Sequence, residues 1–171
     1  MNGELEQVGG TWRLRFERRL PHPPERVWRS LTEPDRLRSW FPDQVRGEWR
    51  RGARLHFVDA GNEAAAFEGE VLACDPPFLL EFTWGTDVLR FEIKPDRDGS
   101  ILVLFDTFAE LGKAARDAAG WHACLDMLEN ELQGTSPGWT TGERWREVHP
   151  AYVESFGEEA ASIGPPPGWQ G

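Results

Sequence analysis

Residues 111–134 read LGKAARDAAGWHACLDMLENELQG, and this stretch decides the fold. Leu111, Ala114, Ala118, Trp121, Leu125, Leu128 and Leu132 recur at spacings of three and four, which puts them on one stripe of a long amphipathic helix. Gly134 suits the C-terminal cap, since glycine enters the left-handed region without steric cost. A helix with one apolar stripe needs a surface to cover it, and the preceding residues offer one. Between 44 and 108 the runs Arg54–Val58, Phe67–Cys74, Phe78–Trp84, Val88–Lys94 and Ile101–Phe108 are separated by Gly61, Asp75-Pro76-Pro77, Gly85 and Asp96–Gly99. Turn signals at that interval predict an antiparallel meander. Within it Leu80, Phe82 and Trp84 share one face, as do Leu89, Phe91 and Ile93.

Further upstream, Trp12, Leu14 and Phe16 alternate with Arg13, Arg15 and Glu17, the period of a half-buried strand. Pro21, Pro23 and Pro24 end it and lead into a short helix carrying Val27, Trp28 and Leu31. Thr32-Glu33-Pro34-Asp35 starts a second short helix, which Phe41-Pro42 stops because the residue before proline disfavours helix. Beyond residue 135, Trp145, Val148, Tyr152 and Phe156 form an apolar stripe that Pro150 should kink or split, followed by a frayed tail after about residue 160. The expected organisation is one domain over 1–134 and a helical extension with a flexible tail over 135–171.

Composition narrows the class. The chain has 171 residues and a net charge of −10, with nine Trp and ten Phe, too many bulky rings for a disordered segment. Residues 1–60 carry twelve Arg against nine acids, whereas the remainder is strongly acidic. That balance argues against nucleic acid as a partner, which demands a net basic face. The arginines from Arg18 to Arg54 are interleaved with acids and read as a solvated face. No apolar run approaches a membrane span, and no leader pattern opens the sequence. Cys74 and Cys124 have no CxxC partner. A soluble, reduced, cytoplasmic protein is expected.

Strand, two short helices, antiparallel strands and one long helix is the order of the α+β helix-grip, or START-like, fold. The residues resemble one branch of it, the activator-of-Hsp90-ATPase-like family of the SRPBCC superfamily. The segments carrying the resemblance are Leu31-Thr-Glu-Pro-Asp with Leu37 and Trp40-Phe41-Pro42, Gly69-Glu-Val-Leu with Asp75-Pro-Pro and Phe82-Thr-Trp84, and Gly120-Trp-His-Ala-Cys-Leu-Asp-Met with Leu132. They span residues 12–134. The resemblance implies a curved sheet around the long helix and a cavity between them for a hydrophobic small molecule. Two other readings stand beside it: a protein-interaction module, either an Hsp90 partner or a homodimer using the 143–157 stripe, and a cyclase- or dehydratase-like enzyme.

Nucleotide-loop and nucleophile-elbow motifs are absent, and no histidine pair has metal-ligand spacing, so no cofactor, metal or catalytic residue is assigned. The expected ligand-contacting residues are Trp40, Phe82, Trp84, Phe91, Trp121, His122 and Leu125, chosen by strand parity and helix phase. His122 reads either as a polar group on the cavity wall or as a half-exposed partner of Asp126 one turn on. Glu70, Glu81, Glu92 and Asp106 alternate with apolar neighbours, so most should face solvent. The aromatic set, Trp40, Phe41, Phe57, Phe67, Phe82, Trp84, Phe91, Phe105 and Trp121, either lines a pocket or fills the space itself.

Overall fold

The structure, a computed structural model, describes residues 2–59 and 61–165. Eight strands run β1 (Glu4–Val8), β2 (Thr11–Leu20), β3 (Asp43–Gly47), β4 (Arg54–Asp59), β5 (Asn62–Asp75), β6 (Leu79–Trp84), β7 (Asp87–Asp96) and β8 (Gly99–Phe108). They form one antiparallel sheet in the order β1-β2-β8-β7-β6-β5-β4-β3. Helices α1 (Pro24–Thr32) and α2 (Pro34–Leu37) carry the chain from β2 to the opposite edge, and the sheet then returns hairpin by hairpin. The long helix α3 (Ala114–Gln133) follows, capped by Gly134 at φ 70°, and then α4 (Thr141–Phe156).

Strand parity sets the core. Leu80 lies opposite Phe91 and Phe82 opposite Leu89, so the two predicted faces are one, and it is buried with Ile93. From β2 come Leu14, Phe16 and Leu20, and from β8 Leu102, Leu104 and Phe108, all against the Ala118–Trp121–Leu125–Leu128–Leu132 stripe of α3. No helix among the described residues is long and apolar enough to cross a membrane.

Three features differ from the sequence reading. Strand β1 has no clear alternation and was not expected; the tight turn at Gly9 (φ 60°) lays it along β2. Helix α4 runs unbroken through Pro150, because its buried Trp145 and Tyr152 anchor it on both sides of the lost N–H. Its apolar stripe packs within the chain, Val148 and Phe156 included. Past residue 157 the chain docks: Ala160 is buried and the N–H of Ile163 donates to the Gly112 carbonyl. Residues 166–171, where the expected tail ends, lie outside the described residues.

Two glycines give opposite expectations. A Cβ on Gly69 would sit 2.3 Å from the Thr83 carbonyl oxygen and 2.7 Å from the Phe57 ring, so β5 can approach β6 only without a side chain there. On Gly120, inside α3, a Cβ would meet nothing within 4 Å beyond the helix's own backbone. Gly69→Ala should lower stability by about 1–3 kcal/mol through overpacking, and Gly120→Ala should raise it by about 0.5–1 kcal/mol. Urea midpoints of the two variants check both signs.

Candidate functional site

Pro42 halts the chain after α2 and turns Trp40 and Phe41 inward. The Trp40 indole N–H donates to the Ser30 carbonyl at 2.8 Å, which pins this turn to α1. Phe41, 5% exposed, becomes the hub of the interior. Its ring centroid lies 5.6 Å from Trp40, 5.8 Å from Trp121, 5.9 Å from Trp84, 6.2 Å from Phe82 and 6.5 Å from Phe57. Phe82 stacks on Phe91 at 6.2 Å, and Trp84 meets Trp121 at 5.4 Å. These separations suit favourable ring–ring contact. Trp40, Phe82, Trp84, Phe91 and Trp121 therefore meet in one cluster between the sheet and α3, with Leu125 buried in the same core. The rings occupy much of that space themselves. Phe105 is not among them: it points to the other face of β8, beneath the Arg13 guanidinium at 4.8 Å.

Open space adjoins the cluster. A groove of about 450 Å³ lies between the Arg38–Pro42 turn, Asp59 at the end of β4, Cys124 of α3 and the start of α4. Trp40, Phe41, Pro42 and Cys124 supply its apolar wall; Arg38, Ser39, Asp59, Thr140, Thr141 and Arg146 supply the polar one. Burial pushes the Cys124 thiol up to about 12, so it serves as an apolar surface and not as a nucleophile.

The far end of the interior is acidic. The Trp121 indole N–H donates to Asp106 Oδ2 at 2.8 Å, and Asp106 is 0% exposed. Of the four strand carboxylates expected mostly to face solvent, Asp106 faces inward, whereas Glu81 and Glu92 lie on the outer face with Arg90 and Glu70 is exposed. One carboxylate oxygen each of Asp87, Asp106 and Asp117 lie within 4.8 Å of one another, a set able to hold a cation. That role is taken by the Lys113 ammonium, 2.5 Å from Asp87 and 3.2 Å from Asp117, while Arg116 holds Asp117 at 2.8 Å. Two cations then balance two carboxylates. Burial and the neighbouring Asp87 charge drive Asp106 well above the usual carboxylate range, and its Oδ1 has no partner among the described residues, both of which favour the neutral acid. Trp84 repeats the pattern more mildly, donating to buried Asp43 at 2.7 Å.

His122 lies elsewhere. It is 6% exposed, and its Nδ1 is 2.8 Å from the Tyr152 hydroxyl of α4, which itself accepts from the Gly3 N–H at 2.8 Å. The direction of the Nδ1–hydroxyl bond follows the imidazole tautomer, and Nε2 lies 3.5 Å from both Asp126 Oδ2 and Arg144 Nη2. Asp126 also binds Arg18 of β2 and Arg144 of α4, each at 2.7 Å. Burial pulls His122 down to about 4, with Arg18 and Arg144 reinforcing this against Asp126. The arginine-rich first third is thus only partly a solvated face. Arg18 is buried, and Arg26 and Arg36 both reach Glu131 of α3, at 3.1 and 2.8 Å.

A curved antiparallel sheet gripping one long helix over an aromatic interior defines a helix-grip protein. The chain belongs to the family described as activator of Hsp90 ATPase homolog 1-like protein, whose match covers residues 21–133. Among solved structures it is similar to a conserved protein of unknown function from Enterococcus faecalis, with 22% identity, TM-score 0.74, and 90% of this chain and 89% of that one covered. It is also similar to a Bordetella parapertussis protein, with 27% identity, TM-score 0.68 and 90% of each chain covered. CalU16 of Micromonospora echinospora aligns at 21% identity and TM-score 0.68, over 90% of this chain and 95% of its own. No curated protein matches the chain.

Two outcomes follow for the buried polar groups. Asp106→Asn keeps an acceptor for Trp121 without a charge, so its cost at neutral pH should stay near 1 kcal/mol; a loss of about 3–5 kcal/mol in urea unfolding would mean that an ionised carboxylate had been balancing Lys113. For His122 the folded state resists protonation between about 6.5, its ordinary value, and about 4. The unfolded chain binds the extra proton in that window, so stability is full above it and falls as pH drops through it, by up to about 3 kcal/mol. His122→Asn should flatten this part of the pH–stability curve, and an unchanged slope would exclude His122 as its origin.

Proposed function

We propose that the chain is a binding protein for a hydrophobic small molecule, held between the sheet and α3 and reached through the groove at Trp40–Pro42. The observation that carries this reading is the position of Phe41. Its ring forms part of the groove wall and also touches Trp40, Phe57, Phe82, Trp84 and Trp121. A ligand entering the groove meets a continuous aromatic surface, and an outward swing of one side chain extends the site into the interior. The volume of about 450 Å³ falls within the range of small-molecule sites, about 300–1,000 Å³. Its apolar side, Trp40, Phe41, Pro42 and Cys124, faces a larger polar side that would orient a ligand.

Native mass spectrometry of the protein as purified, beside a denatured control, tests the reading directly. A one-to-one adduct that disappears on denaturation is expected, and flavonoid-, polyketide- or lipid-like compounds should raise Tm. At a hundredfold excess over Kd, binding adds about 2.7 kcal/mol of stability. Phe41→Ala should enlarge the accessible space and strengthen binding of bulky ring compounds. A bare mass, with no Tm shift from the panel in either form, would refute the proposal.

A further inference from the structure

We propose that the outer half of the groove is an anion subsite, so that the ligand is a planar apolar acid, a carboxylate or sulfonate on a ring system, and not a neutral lipid. This deepens the small-molecule reading above and rests on it. The groove is chemically two-ended. Trp40, Phe41 and Pro42 suit a ring, while Arg38 and Arg146 bring two guanidinium groups to the same opening.

Those two arginines contrast with the ones that pin the elements together. Arg18, Arg36, Arg90 and Arg144 are each held by two carboxylates, and Arg26 by Glu131 and the Ser30 hydroxyl. Arg38 meets only Asp35, at 3.0 Å on an open surface where such a pair contributes little. Arg146 has no ion pair among the described residues; Glu143, one turn earlier, feels its charge from a distance. The one carboxylate on the groove wall is Asp59. On a chain of net charge −10, two guanidinium groups share one opening, with Asp59 on its wall and Asp35 and Glu143 on its flanks. Guanidinium forks bind carboxylate and sulfonate oxygens with charge-assisted hydrogen bonds, and Ser39 and Thr141 add hydroxyls beside them. The first turn of α4 contributes little of this attraction, because Thr140 and Glu143 cap it reciprocally.

Arg146, Thr140 and Thr141 also lie beyond residue 133, where the family match ends. The aromatic half of the groove comes from the shared domain; half of its cationic character comes from α4. Preference for an acid over a neutral ring compound is therefore a property that the extension confers on this chain.

Two fluorescent probes with one ring frame separate the possibilities: anilinonaphthalene sulfonate, which is anionic, and uncharged N-phenylnaphthylamine. Titrations of the full chain should show the sulfonate binding about tenfold tighter than the amine. The Arg38→Gln/Arg146→Gln double variant should abolish that preference while leaving the amine affinity unchanged, and added salt should narrow it in the wild type. Both side chains are exposed, so the variant should fold, and an unchanged near-UV spectrum and Tm verify this. Arg146→Glu alone should reverse the preference. Equal affinity for the two probes, or a preference that survives the double variant, overturns the anion subsite but leaves the hydrophobic-ligand reading standing. Binding of neither probe overturns both.

Discussion

At the centre of the molecule a tryptophan N–H and an aspartic acid face each other out of reach of water. Trp121 on α3 and Asp106 on β8 both lie where an unsatisfied polar atom would cost about 1–3 kcal/mol, and their hydrogen bond of 2.8 Å fixes the long helix against the sheet in one register. The arrangement is tolerable only while Asp106 is uncharged. Lys113 and Arg116, at the start of α3, neutralise the two carboxylates beside it and so spare it a counter-charge. Once Trp121 is placed, helical periodicity places Leu125, Leu128 and Leu132 beneath the sheet and turns Cys124 toward the groove. The ring of Trp121 then offers Phe41 its seat.

A second constraint is electrostatic and explains the uneven charge along the chain. Helix α3 presents Asp126, Glu129 and Glu131, and arginines of β2, α1 and α2 close on them. Asp126 remains ionised although burial opposes it, because Arg18 and Arg144 both donate to it. Glu131 is held the same way by Ser30, Arg26 and Arg36. Truncating one partner of such a half-buried set leaves the others uncompensated, which is why these charges hold α1 and α3 together more firmly than surface pairs do.

The architecture was legible because parity and helical phase are local. The meander, the α3 stripe and the aromatic faces all follow from residues within a few positions of one another. The polar interior was not legible, although its signal was present. Asp106 shares parity with Leu102, Leu104 and Phe108, Asp87 with Leu89 and Phe91, and Arg18 with Leu14 and Phe16. Arg18 read as part of a solvated face and Asp106 as one of four carboxylates mostly facing solvent, since a charge is rarely buried alone, and Asp87 carried no reading. What makes burial acceptable is a partner far along the chain: Asp126 for Arg18 is 108 residues away, and Lys113 for Asp87 is 26. His122 followed the same rule, since its hydroxyl partner Tyr152 lies 30 residues further on in a helix that the domain pattern does not include. Phe41 read as the residue before a helix-stopping proline and as one ring of the aromatic set; its role as hub depends on β4, β6 and α3 converging on its turn.

These constraints bear on how the groove could work. Phe41 is held by ring contacts, each contributing about 0.5–1.5 kcal/mol beyond plain burial, so under the proposed reading it would leave its seat only for a ligand that restores comparable contacts. A ring satisfies that condition far better than a flexible chain, whose ordering entropy would offset the gain. The opposite wall is α4, whose position rests on Tyr152 bound to His122 and on Arg144 bound to Asp126. Protonation of His122 would make Nδ1 a donor to Tyr152 and place a third cation beside Arg18 and Arg144. Acid therefore acts on the helix that carries Arg146 while leaving the aromatic seat untouched, and the two ends of the groove are stabilised by separate sets of interactions.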